Sequence, residues 1–508
     1  MLAAIVFCGL FFCGLLVPLA FAPINFTGCA LIGLTIWFYF LQKSTPRRAF
    51  WGSWFFGLGF FGLGVSWVYI SINVYGHTPA LLAFILTISF IMLLALLPAI
   101  QGWLCVRVCR YSSKASLLLM ALPASWLLFE VLRSSLATGF PWLLLGYSQV
   151  DKPLQGLLSV IGVLGTSWVV ALLAGALAFW MTCAKRFPPW QTIVIGCVVV
   201  MAAWFTHDKS WTHINTEHSL KVSLVQGNIP QDVKWSPSYV QTTLDRYFNL
   251  TLDNINHQQI IIWPEAAIPV LYEQAQIFIN DLMQLSRQYN ATIITGIPMT
   301  ANNTSTPQIN NDEYYYNTVI SLGAQPNRYI KRHLVPFGEY LPFKKLLHGL
   351  INFFDLPMSD FIPGPRHQVA LEINHTKIAP FICYEIAYAN LVRESLALSN
   401  AGLLLVVTND AWFGHSFAAA QHLQIAQARA RETGRYLLFV ANTGITAIIK
   451  PDGNIDKQLP MFRTGVLNGE VYAVTGHTPW MRWGHSWIIG LAVIVVILSH
   501  VTRLKHPR

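Results

Sequence analysis

Long apolar stretches occupy the first 206 residues of the chain, and one more lies near its end. A helix that crosses a membrane needs about 20 mostly apolar residues, because the hydrocarbon core is about 30 Å thick. Eight stretches come near this length, at about 2–21, 25–41, 51–73, 79–104, 116–133, 156–182, 190–206 and 485–502. The pattern therefore predicts an α-helical transmembrane bundle of about eight spans.

Between the seventh and eighth spans, short apolar runs alternate with longer amphipathic stretches. The short runs predict strands at about 220–226, 259–263, 292–297, 317–322, 378–383, 403–408 and 437–441. Helical spacing predicts helices at about 237–252, 272–289, 386–398 and 417–433. This alternation is typical of α/β layers. We expect spans one to seven at 1–206, a soluble domain at 207–483, and the eighth span with a basic tail at 484–508.

The positive charge of the chain belongs to its membrane part. Only 11% of the 508 residues are charged, against roughly 25% in ordinary globular domains, and the net charge is +10. Residues 1–206 carry ten Lys or Arg and two Asp or Glu, whereas residues 207–483 carry 20 and 21. The basic residues therefore lie between spans, and the sequence gives no support for nucleic-acid binding.

Basic residues follow every second predicted span, at 43–48, 107–114, 185–186 and 503–508. Loops rich in Lys and Arg stay in the cytoplasm. We therefore expect both termini in the cytoplasm and the soluble domain on the opposite side of the membrane, which in a bacterium is the periplasm. Ala20-Phe21-Ala22 imitates a signal-peptidase site, but no Lys or Arg precedes the apolar run and proline follows directly. An uncleaved first span is expected.

Cys383 is the only cysteine between residues 207 and 483, and the other seven lie in or beside the spans. It therefore has no disulfide partner within the predicted soluble domain. A lone exported thiol is either an inert buried side chain or a nucleophile. The segments around it favour the second interpretation.

Three segments carry reactive side chains. Glu265 ends the apolar segment IIIWPE, Lys331 begins KRHLVPFGE, and Cys383 ends a predicted strand in IAPFICYE. Sites in open α/β sheets collect at the carboxyl ends of strands. A thiol with a pKa near 8.5 needs a base at neutral pH, and Glu265 is predicted to accept its proton. Lys331 is predicted to stabilise the oxyanion formed when sulfur attacks a carbonyl, with the backbone N–H of Tyr384 as a second donor.

Together with TNDAWFG at 408–414, these segments resemble the nitrilase or carbon–nitrogen hydrolase superfamily. Order and spacing agree, with 66 residues from Glu265 to Lys331 and 52 from there to Cys383. The resemblance covers most of residues 218–475. It implies a four-layer αββα sandwich in which these three residues form a Glu-Lys-Cys triad.

A narrower resemblance covers nearly the whole chain. It rests on the segments HLVPFGEY (333–340), VQGNIP (225–230) followed by Trp235, HLQIA (422–426), SWVYIS (66–71), TGFPW (138–142) and GYSQ (146–149). These segments are similar to the apolipoprotein N-acyltransferase family. The resemblance implies an eight-span bundle fused to a periplasmic nitrilase-like domain.

The narrower resemblance also implies a two-step transfer without a cofactor. Cys383 would take an acyl chain from a phospholipid, typically phosphatidylethanolamine, and pass it to a lipoprotein. The acceptor would be the α-amino group of the N-terminal diacylglyceryl-cysteine. An α-amino group has a pKa of about 7.7–8.0, so that a neutral, nucleophilic fraction exists near physiological pH.

The same motifs contain four further candidates. The resemblance implies supporting parts around the triad for Glu339 and Glu385. As alternatives, Glu339 ends a loop, and Glu385 caps a helix or pairs with Lys331. Trp235 and Tyr384 are predicted to shape an acyl or headgroup pocket, with ordinary core or loop positions as the alternative.

Other polar residues have plainer explanations. Glu130 and Arg133 lie three residues apart near the end of the fifth span, where ionisable groups are functional candidates. We expect this pair to neutralise itself and lock the bundle. The histidines at 333, 415 and 422 show no zinc-like spacing, so no metal is expected.

Three functions remain open on the sequence alone. The first is acyl transfer, the second is hydrolysis of a small amide by a membrane-anchored enzyme with the same triad, and the third is a lipid or lipoprotein chaperone with an inactive site. A hydrolase of soluble amides needs one anchor rather than eight spans, which favours transfer. The intact triad argues against the chaperone.

Overall fold

The computed structural model describes residues 2–183, 188–256, 258–301, 314–340 and 361–501. The chain divides into two compact units. The first comprises Met1–Tyr69, Pro79–Trp211 and His477–Arg508, and the second comprises Ile70–Thr78 and Thr212–Gly476. The basic residues predicted to follow the sixth and eighth spans lie outside the described residues.

Apolar helices lie at each of the eight predicted span positions. The α-helices of this part are Leu2–Leu16, Thr27–Leu41, Pro46–Gly64, Trp67–Ile70, Ala80–Val108, Leu122–Ser135, Leu158–Cys183, Trp190–His207, Pro479–Trp483 and Ser486–Val501. By length and apolarity, five helical segments of the described chain are able to cross a membrane. A sixth is added when Pro46–Gly64 and Trp67–Tyr75, which meet at a bend of 54°, count as one span. Two shorter apolar helices, Thr27–Leu41 and Ser486–His500, occupy the remaining positions.

Side chains of the first unit suit a lipid environment. On the helix Trp190–His207, Val200 is 68% exposed and Trp204 is 74% exposed, and an apolar surface of this kind matches hydrocarbon rather than water. Gly14 and Gly59 let two other helices approach closely, since a Cβ at either position would lie 2.0 Å from a carbonyl oxygen of the neighbouring helix. Small residues allow this close packing of membrane helices. The protein is therefore a membrane protein.

Glu130 and Arg133 are both buried and both fasten the loop at 143–145. Glu130 Oε1 accepts a hydrogen bond from the Leu145 backbone N–H at 2.7 Å. Arg133 Nη2 donates to the Leu143 carbonyl oxygen at 3.1 Å. These contacts give the pair a structural role within the first unit.

The second unit contains, within its described residues, two six-stranded sheets. Its strands are β1 (His213–Gln226), β2 (Ile260–Ile262), β3 (Thr292–Thr300), β4 (Tyr315–Leu322), β5 (Asn327–Ile330), β6 (Leu371–Ile373), β7 (Thr376–Ile382), β8 (Leu403–Thr408), β9 (Tyr436–Ala441), β10 (Thr446–Ile449), β11 (Ile455–Leu459) and β12 (Gly465–Thr475). The strand order is β12-β1-β2-β3-β4-β5 in the first sheet and β11-β10-β9-β8-β7-β6 in the second. In each sheet three neighbouring strands are parallel, namely β1 to β3 and β7 to β9. The outer strands pair antiparallel.

The two sheets share one apolar core. Buried side chains of β1, β2 and β3 form a single cluster with those of β7, β8 and β9. Helices Val240–Leu252 and Gln276–Tyr289 pack on the first sheet, and Ala389–Ser399 and Ala418–Thr433 on the second. The layers therefore run helix, sheet, sheet, helix. The expected fold class, a helical bundle with an αββα sandwich, is confirmed.

One segment of the predicted third span groups with the second unit. In Ile70–Thr78, the Ser71 hydroxyl donates a hydrogen bond to the Trp412 carbonyl oxygen at 2.8 Å. The ring of Tyr75 packs edge-on against the Trp412 ring at 6.2 Å. This turn therefore contacts the loop that follows β8.

Candidate active site

Cys383 lies at a sharp turn directly after β7. Its φ of +53° is in the left-handed region, which non-glycine residues rarely adopt. The residue keeps part of its surface exposed at this turn, although residues 378–382 directly before it are buried. Burial of the thiol and the negative charge of Glu265 raise the pKa of Cys383, while Lys331 and a hydrogen bond with Thr408 act in the opposite direction. The net effect is a pKa well above the usual range, so the thiol needs a base to react at neutral pH.

Glu265 follows β2 and has a buried carboxylate held by two donors. Its Oε1 accepts a hydrogen bond from Asn317 Nδ2 at 2.7 Å, and its Oε2 accepts one from the Asn409 backbone N–H at 3.1 Å. Gly296 on β3 packs against the backbone here, and a Cβ at that position would lie 2.8 Å from the Glu265 Cα. The carboxylate is therefore preorganised to accept a proton in one orientation.

Lys331 directly follows β5 and is 1% exposed. Its Nζ lies 2.9 Å from Glu339 Oε1 and 3.5 Å from Glu265 Oε1. Burial by itself lowers the pKa of Lys331, but the charges of Glu339 and Glu265 outweigh burial and raise it above the ordinary value. Lys331 is thus a permanent cation, which is the property that oxyanion stabilisation requires.

Glu339 and Asn317 complete a shared hydrogen-bond network. The Asn317 side-chain amide donates to Glu265 Oε1 at 2.7 Å and to Glu339 Oε1 at 2.9 Å. Glu339 Oε2 accepts the backbone N–H of Val335 at 2.8 Å. One amide therefore connects two carboxylates, and the ammonium of Lys331 offsets part of their charge. Glu339 contacts Lys331 directly.

Glu385 is fully buried and binds backbone groups beside the site. Its Oε1 accepts the N–H of Arg332 at 2.6 Å, and its Oε2 accepts the N–H of Ile382 at 2.8 Å. Burial raises the pKa of Glu385 to about 7, although these donors favour the charged form. The Glu385 carboxylate therefore connects Arg332, which follows β5 of the first sheet, with Ile382, which ends β7 of the second sheet.

The two predicted aromatic residues lie beside other aromatic or cationic groups. Tyr384 packs its ring edge-on against the ring of Tyr388 at 5.2 Å. Trp235 is half-buried, and the Nζ of Lys234 lies 5.7 Å from the centre of its ring. Both residues therefore border polar groups of the second unit.

The histidines occupy separate environments. The ring of His333 packs at a tilt against that of Tyr388, and the ring of His415 does the same against Phe462. His422 hydrogen bonds Asp410 through Nδ1 at 2.9 Å. Throughout the described ranges, no group of three or more His, Cys, Asp or Glu side chains is arranged to hold a metal ion.

Comparison with known proteins decides the family. A model of the apolipoprotein N-acyltransferase N-terminal domain matches residues 13–176, and a carbon–nitrogen hydrolase model matches residues 221–479. A curated apolipoprotein N-acyltransferase of Coxiella burnetii is 41% identical, covering 96% of this chain and 98% of its own length. One from Azotobacter vinelandii is 40% identical, covering 95% and 92%.

The chain belongs to the apolipoprotein N-acyltransferase family. Among solved structures, a carbon–nitrogen hydrolase superfamily protein of Xanthomonas campestris aligns with a TM-score of 0.37 and 18% identity. That alignment covers 50% of this chain and 91% of the other. Membership of the apolipoprotein N-acyltransferase family makes this chain an acyltransferase of lipoprotein biosynthesis.

Three polar residues of the site were not predicted from the sequence of this apolipoprotein N-acyltransferase family member. Asn317 and Lys234 were not singled out, and Asn409 was used only as part of a motif. Lys234 is 2% exposed and donates from Nζ to the Glu265 carbonyl oxygen at 3.1 Å. Burial lowers the pKa of Lys234 to about 8. The available signal for Asn317 was its position in an apolar strand, since a buried amide requires hydrogen-bond partners.

Proposed function

We propose that this protein transfers a fatty acyl chain from a membrane phospholipid to the α-amino group of the diacylglyceryl-cysteine at the N-terminus of a lipoprotein. The acyl chain is carried between them as a thioester on Cys383. One observation carries the proposal: the only cysteine between residues 207 and 483 interacts with the charges of Glu265 and Lys331, which lie 3.5 Å apart. Membership of the family supplies the substrate class.

In the first half-reaction, Glu265 accepts the thiol proton as the sulfur attacks the ester carbonyl of the phospholipid. The carbonyl oxygen becomes an oxyanion, which the Lys331 ammonium stabilises. The tetrahedral intermediate collapses, the bond from carbon to the glycerol oxygen breaks, and Glu265 returns its proton to that oxygen. A lysophospholipid leaves, and a thioester remains on Cys383. Phosphatidylethanolamine is the proposed donor.

In the second half-reaction, the neutral α-amine of the lipoprotein attacks the thioester carbonyl. Glu265 accepts a proton from the attacking nitrogen, and Lys331 again stabilises the oxyanion. The C–S bond breaks, the amide forms, and the Cys383 thiolate takes back the proton from Glu265. The enzyme returns to its starting state in a ping-pong cycle.

The proposal includes an orientation in the membrane. We assign the protein to a Gram-negative inner membrane, with the soluble unit in the periplasm and both termini in the cytoplasm. Basic residues after every second span support this assignment. Both lipid-anchored substrates are then available in the outer leaflet, where neither has to leave the bilayer.

An amidase with the same triad is the alternative. It differs only in the acceptor, which would be water. The match of the acyltransferase N-terminal domain to residues 13–176 supports the transferase, because a hydrolase of soluble amides has no need of that domain.

The decisive experiment follows an acyl chain. The purified full-length protein is incubated with phosphatidylethanolamine labelled in its acyl chain, and the protein is tested for label that hydroxylamine releases. A diacylated lipopeptide is then added. The expected result is a thioester that forms without the lipopeptide and is discharged into an amide when the lipopeptide is present.

Two cysteine variants control this experiment. Cys383→Ala is expected to carry no hydroxylamine-labile label. Cys197→Ala, which removes an exposed thiol of the first unit, is expected to label like the wild type. Discharge to free fatty acid alone would favour the amidase, and the absence of any label on the wild type would refute the acyl-enzyme.

A further inference from the structure

A second set of buried polar side chains reaches Cys383 from the second sheet. Thr408 ends β8, and its hydroxyl donates to Asp410 Oδ1 at 2.7 Å. Thr408 lies beside Cys383, because the residues that precede the two, Val407 and Ile382, are partners in the parallel pairing of β8 with β7. His422 binds Asp410 Oδ1 through Nδ1 at 2.9 Å and the Cys383 carbonyl oxygen through Nε2 at 3.2 Å. We call Thr408, Asp410 and His422 the Thr-Asp-His relay. It begins at Thr408, beside Cys383, and ends at the Cys383 carbonyl oxygen.

The hydrogens of this relay follow from its acceptors. A carbonyl oxygen only accepts, so Nε2 of His422 carries a hydrogen. Thr408 has one O–H, which serves either Asp410 or the sulfur. While Cys383 is a thiol, the hydroxyl donates to Asp410.

The relay is well placed to fix the nucleophile. The side chain of Asp410 is fully buried and that of His422 is 1% exposed, so water does not compete for their hydrogen bonds. Asp410 and Cys383 both have a φ of +53°. Such a conformation persists in a non-glycine residue only where the surroundings determine it. The hydrogen bond from His422 to the Cys383 carbonyl is one such determinant.

We propose that Thr408 is a further catalytic residue, which turns its hydroxyl hydrogen from Asp410 to the Cys383 sulfur as the thiolate forms. Asp410 and His422 are positioning residues that hold this hydroxyl and the Cys383 backbone. The inference rests on the proposed function in taking Cys383 as the nucleophile. Glu265 receives the proton of the broken S–H bond, while the O–H bond of Thr408 stays intact and only changes its acceptor.

The thiolate is stabilised because it gains a hydrogen bond that the thiol lacks. The charged groups that act on the sulfur are Glu265, Lys331 and Asp410, and the His422 ring contacts Asp410 at 2.9 Å. A hydrogen bond to a charged group corresponds to roughly a 10- to 100-fold change in an equilibrium constant. Loss of the Thr408 hydroxyl should therefore lower the thiolate population by about this factor.

The test measures the thiolate directly in the full-length protein. Alkylation of Cys383 by iodoacetamide is followed from pH 6 to pH 10, and the modified peptide is quantified by mass spectrometry. Thr408→Val is expected to slow alkylation by roughly 10- to 100-fold at neutral pH and to move the midpoint of the pH profile upward. Thr408→Ser, which restores the hydroxyl, should recover both. Thr446→Val is the matched control, because that buried hydroxyl bonds the backbone of Ala441 on the same sheet, accepting its N–H at 3.1 Å and donating to its carbonyl oxygen at 3.3 Å.

The outcomes separate the two proposals. A folded Thr408→Val variant with the wild-type pH profile would overturn the relay, and so would a Thr408→Ser variant impaired as strongly as the valine. If valine prevents folding, Thr408→Ala takes its place and the same comparison with serine applies. Failure of the wild type to form a thioester from phospholipid would refute the acyl-transfer proposal, while the alkylation series would still decide the relay.

Discussion

Asn317→Leu tests whether one buried amide controls the reactivity of the site. Asn317 is 7% exposed on β4 and donates to both Glu265 and Glu339, at 2.7 and 2.9 Å. Leucine has a similar size and no donor. The substitution therefore removes both hydrogen bonds, while the backbone pairing of β4 with β3 and β5 is kept.

The expected loss follows from the partners that remain. Glu265 keeps the Asn409 N–H and Lys331, and Glu339 keeps Lys331 and the Val335 N–H. Neither carboxylate is left unsatisfied, so the loss is that of a hydrogen bond to a charged group, about 1.5–3 kcal/mol. At about 1.4 kcal/mol per decade, misorientation of Glu265 slows thioester formation by roughly 10- to 100-fold. A carboxylate that loses a hydrogen-bond donor also becomes more basic. The misorientation outweighs that effect, because the carboxylate has to accept the proton in a fixed geometry.

The assay is single-turnover formation of the thioester from labelled phosphatidylethanolamine, with the melting temperature measured in the same detergent. Asn327→Leu on β5 is the control. It removes an amide of the same sheet that donates to the Ala370 carbonyl oxygen at 3.4 Å, with no contact to either carboxylate. A folded Asn317→Leu variant with the wild-type rate would refute the reasoning, and so would an equal loss in the control.

Three further substitutions test neighbouring contacts. Gly296→Ala should nearly abolish thioester formation, because the new Cβ would lie 2.8 Å from the Glu265 Cα. Gly465→Ala is the control and should keep the wild-type rate, because the nearest atom to its Cβ would be 3.6 Å away. Equal rates in the two variants would contradict this prediction. Burial raises the pKa of Glu385 from 4.5 to about 7, so the folded state binds the Glu385 proton more tightly than the unfolded state does. The contribution of Glu385 to stability therefore falls as the pH rises from 4.5 to about 7. Melting temperatures of wild type and Glu385→Gln should therefore converge or cross over that range, and a constant difference would contradict the assignment. The pKa of Lys234, lowered from 10.5 to about 8 by burial, has the opposite sign, so the wild type should gain stability relative to Lys234→Met between pH 8 and 10.5. Parallel melting curves would show that Lys234 stays charged.

Hydropathy located the membrane helices because span length and apolarity are local properties of the chain. Strands β1, β7, β8 and β9 were predicted for a similar reason, since each is a continuous apolar or alternating run. Strands β5, β6, β10, β11 and β12 were missed. The first four have three to five residues each, and most of β11 is exposed. Strand β12 has 11 residues, but it lies at the edge of its sheet and only three of its residues are buried. Such strands form because a neighbour offers backbone partners, and that information lies elsewhere in the chain.

The same distinction between local and long-range features applies to the candidate site. Glu265 and Cys383 were found because each follows an apolar strand, and Lys331 because it begins a motif. Asn317 and Lys234 were missed because their partners lie 52 and 31 residues away in the chain. The grouping of Ile70–Thr78 with the second unit is also a long-range property, which hydropathy alone does not reveal.

The charges of the site explain why one ammonium has two carboxylate partners. Before reaction, Glu265 and Glu339 are anionic, Lys331 is cationic and Cys383 is neutral. When the thiol proton moves to Glu265, the total charge of the site is unchanged, so a buried site needs no exchange of ions with solvent during that step. Lys331 then loses the attraction of Glu265, yet it keeps Glu339 at 2.9 Å. Because a buried lysine without an anionic partner tends to lose its proton, the second carboxylate keeps Lys331 charged at the moment when an oxyanion forms.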